Sequence, residues 1–155
     1  LMAIEIWFLT RAFYISSVVT SSSMEPTLKK GDRVLVRRYR FSPSSLPPRG
    51  AIVMLRDPRD PNNWLIKRVI GLPKEVVTIA FGRVFINGQP LTEPYLHQWT
   101  DGYWHGVVPE GCVFVMGDNR SVSDDSRDFG PVPLENLEGK VVLRYYPLNR
   151  FCTFP

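Results

Sequence analysis

Proline and glycine limit what this chain can fold into. Fourteen prolines and eleven glycines fall between short runs rich in valine, isoleucine and aromatic side chains. Proline lacks the backbone donor and glycine weakens regular elements, so the chain is cut into short pieces. Val34–Arg38, Ala51–Leu55, Trp64–Ile70, Glu75–Phe81, Arg83–Asn87, Cys112–Met116 and Lys140–Tyr146 all read as strands. Asn87-Gly88 is a turn signal of the kind that forces positive φ. Past the N-terminus one short helix is expected, near Leu134–Leu137 after Pro133. Ser42–Pro48, rich in serine and proline, reads as a loop rather than a domain linker. The fold class is mostly β, with coiled antiparallel or barrel-like sheets and long loops. The 155 residues suit one domain large enough for a hydrophobic core.

The N-terminus has a different character. Leu1–Thr10 is apolar except for Glu5 and precedes Arg11. A helix rises about 1.5 Å per residue, so this piece covers roughly half of a hydrocarbon core about 30 Å thick. Residues 1–11 read as the last turns of a membrane-anchor helix begun upstream, with a β-rich domain over 12–155. A short buried helix of a soluble domain is the alternative. A cleavable signal peptide fits poorly, because no cationic stretch precedes the apolar run.

The net charge of +4 comes from dispersed basic residues, and the densest run, Arg37-Arg38-Tyr39-Arg40, is short. That is a solvated, mildly basic surface and not a nucleic-acid footprint. Cys112 and Cys152 have no metal-ligand spacing, so no metal site is expected. Both read as small apolar residues, although an oxidising compartment would permit pairing.

Candidate chemistry starts at Ser21-Ser22-Ser23-Met24-Glu25-Pro26-Thr27-Leu28. A serine hydroxyl is a poor nucleophile until a base takes its proton. The only histidines, His97 and His105, lie in or just beyond the aromatic stretch Tyr95–Trp104, with no orienting acidic motif. A triad assembled in space stays possible. Lysine is the other candidate. In Trp64-Leu65-Ile66-Lys67-Arg68-Val69-Ile70, strand alternation places Lys67 with Leu65 and Val69 on one apolar face, and Arg68 with Ile66 and Ile70 on the other. Burial there would disfavour the ammonium and turn the amine into a base. The alternative is a lysine that snorkels to the sheet edge.

Three segments in order, Ser21–Leu28, Ile66–Val69 and Gly117-Asp118-Asn119-Arg120-Ser121-Val122-Ser123-Asp124-Asp125-Ser126-Arg127, resemble the conserved boxes of type I signal peptidases. These are membrane-bound serine proteases that remove secretory signal peptides. The resemblance covers most of Val19–Leu137. It implies Ser23 as nucleophile, Lys67 as general base, and Ser21 with the Ser23 backbone N–H as oxyanion hole. It further implies that Ser123 orients the lysine, that Asp118 partners Arg68, and that Asp125 and Arg127 form a bracing ion pair. Val19, Met54 and Ile66 fall where the family lines its substrate pockets. The implied substrate is a preprotein cut after small residues in an A-x-A pattern. Membrane lipid is a further implied partner, and no cofactor is implied. The implied location is a membrane with the catalytic domain on its outer face. A bacterial plasma membrane fits best, with thylakoid and mitochondrial inner membranes open. The chain departs from the family pattern at Arg49-Gly50-Ala51, where the family commonly has Arg-Gly-Asp, at Gly71-Leu72-Pro73-Lys74-Glu75, where it has Gly-Leu-Pro-Gly-Asp, and in lacking a proline shortly before Ser21. None of these removes a reacting group.

Two other readings compete. A self-cleaving repressor domain shares the Ser-Lys chemistry, but only twenty-two mostly apolar residues precede Ser23 and no Ala-Gly dipeptide occurs. A β-rich binding module could use Trp99, Tyr103 and Trp104 as a stacking surface. The same aromatics could instead touch a membrane interface.

Overall fold

A computed structural model describes residues 12–155. The strands are β1 (Tyr14–Val18), β2 (Arg33–Arg38), β3 (Ile52–Asp57), β4 (Asp60–Gly71), β5 (Val76–Ala80), β6 (Arg83–Ile86), β7 (Gln89–Pro90), β8 (Trp104–Val107), β9 (Cys112–Met116), β10 (Val132–Pro133), β11 (Leu137–Tyr146) and β12 (Cys152–Thr153). They form two antiparallel sheets. The larger runs β1-β2-β11-β3-β4-β9-β10 with β12 paired to β11, and the smaller runs β7-β6-β5-β8.

Alternation in β3 explains how the larger sheet is packed. Ile52 and Met54 point to one face, where Val19, Met24, Leu28, Val34, Val36 and Val141 form a cluster. Val53 and Leu55 point to the other, against Phe41, Val69, Val113, Val115 and Leu137. A strand buried on both faces must be apolar throughout its centre, as Ile52–Leu55 is. A third cluster joins the sheets: Ile70, Phe114 and Met116 of the larger pack on Val77, Ile79, Val84 and Ile86 of the smaller.

The Asn87-Gly88 turn forms as expected, with φ of 51° and 81° at its two residues. The helix expected near Leu134–Leu137 is a single 3-10 turn, Leu134–Asn136. An unanticipated α-helix, α1, spans Ser126–Phe129. It has no apolar periodicity to reveal it. A capping box makes it: Asp125 accepts from Arg127 N–H, while the Asp128 side chain accepts from the Asp125 N–H. Cys112 and Cys152 are both free and half-buried. No helix among the described residues is long and apolar enough to cross a membrane, and the anchor expected at 1–11 lies outside the described residues.

One detail of pairing positions the site. β9 pairs with β4 only from Arg68 onward, through Arg68–Met116 and Val69–Val115. Before Arg68, β4 is bonded on its β3 side alone, so Trp64–Lys67 presents an open backbone edge.

Candidate active site

The serine-rich loop is held from below and from both flanks. Met24 and Leu28 are 2% and 0% exposed and anchor it in the cluster under Ile52 and Met54. The Arg144 guanidinium donates to the Thr27 carbonyl at 2.6 Å, and the Thr27 hydroxyl donates to Asp118 Oδ2 at 2.6 Å. Asn119 adds a double grip: its backbone N–H donates to the Ser23 carbonyl at 2.9 Å, and its side-chain Nδ2 donates to the Ser22 carbonyl at 3.0 Å. With these carbonyls fixed, the hydroxyl of Ser23 is turned toward β4.

Lys67 meets it there. Its Nζ donates to Ser23 Oγ at 2.8 Å, and the residue is only 3% exposed. Burial pushes the Lys67 amine below its ordinary range, against the pull of Asp125 and Asp124, which favour the ammonium. In the neutral amine the same contact can run in reverse, with Ser23 O–H donating to Nζ. Neither His97 nor His105 hydrogen-bonds to Ser23; His105 Nδ1 lies 2.9 Å from Thr78 Oγ1 on the smaller sheet.

Ser21 Oγ lies 3.1 Å from Ser23 Oγ, and the Ser23 N–H points toward Ser21 Oγ at 3.5 Å. A hydroxyl and a backbone N–H therefore converge beside the serine oxygen, where charge would develop on an attacked carbonyl. Arg68 binds Asp118 in bidentate fashion, at 2.9 and 2.6 Å, and also donates to the Gly50 carbonyl at 2.8 Å. Arg127 grips Asp125 with two bonds of 2.9 Å. Burial works to raise the Asp125 carboxyl, but Arg127 and the Gly117 N–H hold it below the usual carboxylate range.

Ser123 departs from expectation. Its Oγ is buried near Asp125 but has no well-directed hydrogen-bond partner, and no bond to Lys67 forms. It packs over Gly117, where any Cβ would collide with Ser123 and with the Ser23 carbonyl. Glycine is required at 117 because the third motif and the nucleophile loop meet across its bare Cα.

Several site residues escaped the sequence reading. The Tyr95 ring lies against the Arg68 guanidinium, 3.7 Å from centroid to carbon, and its hydroxyl donates to Glu93 at 2.8 Å. Burial raises the Tyr95 hydroxyl's pKa, so it stays protonated. Arg120, buried, donates to the Gly117 carbonyl and Thr100 Oγ1, both at 2.8 Å, and pairs with Glu93. Glu93 and Tyr95 sit far from the motifs in sequence and carry no local signal. Arg49 pairs with Glu75 at 2.7 and 2.6 Å, so two of the segments that depart from the family pattern are bonded to each other.

Val19, Met54 and Ile66 line one cavity of about 440 Å³ together with Ser21, Ser23 and Lys67. Asn63 and Trp64, not anticipated, line it too. A larger cavity, about 730 Å³ beside Phe13 and Tyr39, contains neither nucleophile nor base. The smaller one holds Ser23 and Lys67, the candidate nucleophile and base.

The chain is 42% identical over 153 residues to signal peptidase I of Leptolyngbya laminosa, covering 92% of this chain and 72% of that protein. It is 34% identical to signal peptidase I of Bacillus caldolyticus, covering 92% and 85%. The crystal structure of a signal peptidase I from Enterococcus faecalis superposes with a TM-score of 0.56 at 36% identity, over 61% of this chain and 95% of that one. The family described as "Signal peptidase, peptidase S26" matches residues 1–146, and the chain belongs to it.

Proposed function

We propose that this protein is a serine endopeptidase that removes signal peptides from preproteins, with Ser23 as nucleophile and Lys67 as general base. The observation that carries the reading is the 2.8 Å contact between Ser23 Oγ and a buried Lys67 amine. Membership of the family supplies the substrate class.

In this mechanism the neutral Lys67 amine takes the Ser23 proton as Oγ attacks the scissile carbonyl. The resulting oxyanion is received by the Ser23 N–H and the Ser21 hydroxyl; losing such a donor costs about 3 kcal/mol of transition-state stabilisation. Lys67 then protonates the leaving amine. Water, deprotonated by the same amine, hydrolyses the acyl-enzyme and restores Ser23. Arg68–Asp118 and Arg127–Asp125 hold strand and loop in register around the pair, and Ser123 takes the lysine-orienting part that the family resemblance implies. An extended preprotein lies against the open edge of Trp64–Lys67, adding a strand, with small side chains entering the cavity of Val19, Met54 and Ile66.

In this reading the apolar run of residues 1–11 and membrane lipid hold the enzyme at a membrane, with the β-rich domain on the outer face of a bacterial plasma membrane; the apolar composition of that run and the family membership support it. The test is cleavage of a short preprotein carrying Ala-x-Ala by the parent, Ser23→Ala and Lys67→Ala. Cleavage by the parent alone is expected. Cleavage by either variant at the parent's rate overturns the reading.

A further inference from the structure

The β3–β4 hairpin turns at Pro58-Arg59, and its tip is fastened to the third motif by a single side chain. Arg59 donates to both carboxylate oxygens of Asp57 at 3.1 Å, and to those of Asp124 at 3.3 and 2.5 Å. The guanidinium also covers the Phe129 ring at 4.9 Å. Asp57 is 4% exposed and takes two more bonds, from the Arg59 N–H at 2.9 Å and Asn63 Nδ2 at 3.3 Å. Asp124 is adjacent in sequence to Ser123 and Asp125. One cation thus joins the hairpin that leads into Lys67 to the loop that carries Ser123 and Asp125.

We propose that Arg59 is a positioning residue for the reacting pair: it ties the Ser123–Arg127 loop to the β3–β4 hairpin and neutralises the two carboxylates, Asp57 and Asp124, that it bonds. The inference rests on Lys67 being the base. The charged groups that act on the amine are Asp57 from the hairpin and Asp124, Asp125 and Arg127 from the loop and α1. Asp125 is already neutralised by Arg127. Asp124 and Asp57 favour the ammonium form, and Arg59 is the cation bonded to both. Without it the amine is protonated more readily and the loop loses its tie to the hairpin.

The experiment is the pH dependence of kcat/KM for Ala-x-Ala peptide cleavage by the whole chain. The variants are Arg59→Gln, Arg59→Lys, Asp124→Asn and the double variant Arg59→Gln, Asp124→Asn. Arg59→Gln should move the rising limb upward by about half a pH unit, a size set by solvent screening of partly exposed charges. Activity below the limb then falls about threefold. The shift should shrink in high salt. Arg59→Lys should keep most of the parent's limb, and the double variant should return it toward the parent position. A merely structural Arg59 would lower kcat uniformly and leave the limb in place; that result, or a double variant that does not return, overturns the proposal. Lys67→Ala distinguishes the two levels: if it retains activity and the limb, the base assignment itself has failed.

Discussion

The buried Lys67 amine makes two opposite demands on the protein. The proposed mechanism needs it neutral, and burial favours that form by penalising the ammonium. Activity must therefore rise with pH through the lysine's depressed pKa, since only the deprotonated fraction accepts the Ser23 proton. Lys67→Arg keeps the charge but cannot give up its proton in this range, so it should be inactive at every pH tested. A His97→Ala, His105→Ala double variant should keep the parent's limb; loss of activity in a folded double variant would move the base to a histidine. The same burial is a stability cost. Below the folded-state pKa both folded and unfolded chains carry the ammonium, and the penalty is fully present. Between that value and the ordinary 10.5, the unfolded chain binds more protons and stability rises with pH. Lys67→Met removes the charge altogether. Its stability advantage over the parent, read by denaturant titration, should be largest at acid and neutral pH and should narrow as pH approaches 10.5. An advantage independent of pH would mean the amine is not buried in solution as it is here.

The turn between β4 and β5 carries a local conflict that sequence and structure locate together. The resemblance has glycine where this chain has Lys74, and Lys74 adopts φ of 70°, a left-handed conformation that side chains disfavour. Its surface pair with Glu110 spans 2.9 Å between side chains 73% and 77% exposed, which contributes little. Lys74→Gly should raise stability by up to about 1 kcal/mol, the relief of strain being partly offset by the freer unfolded chain; a loss of more than that in denaturant titration would show the surface pair to be strong. At this scale the long strands were readable because apolar, β-branched runs bounded by proline and glycine carry their own signal. β1, Tyr14–Val18, was missed beside the apolar N-terminal run, and the other elements missed are made by partners rather than by composition. β7, β10 and β12 are two residues each, β8 contains Gly106, and α1 exists through its capping box. Within the site, the resemblance of three motifs to one family was enough to bring Ser23 and Lys67, Arg68 and Asp118, and Asp125 and Arg127 into view together. It could not show that the Ser123 hydroxyl sits over Gly117, because that depends on side-chain rotamer and on how closely two loops approach.

Across the whole molecule, the third motif, which grips the proposed nucleophile loop through Asn119, is also bonded to the smaller sheet's side by a buried ion pair. Glu93 comes from the segment between β7 and β8, Arg120 from the third motif, and their side chains are 6% and 0% exposed. Arg120 also holds the Gly117 carbonyl, the residue across which the motif meets the nucleophile loop. The smaller sheet is thereby coupled to the geometry of Ser23 through contiguous bonds. A buried pair of this kind adds little over an apolar substitute but is costly to break from one side, because the remaining charge is stranded. Glu93→Gln should lower stability by about 3–5 kcal/mol and reduce kcat more than it changes KM, since the loop behind Ser23 loosens while the cavity of Val19, Met54 and Ile66 is untouched. Glu93→Leu combined with Arg120→Leu should recover much of the lost stability without recovering full activity, because the bond to the Gly117 carbonyl is still missing. Thermal unfolding and single-turnover cleavage on the three proteins separate the outcomes. If Glu93→Gln stays within about 1 kcal/mol of the parent with unchanged kcat, the smaller sheet is an appendage and the catalytic geometry is held by the larger sheet alone.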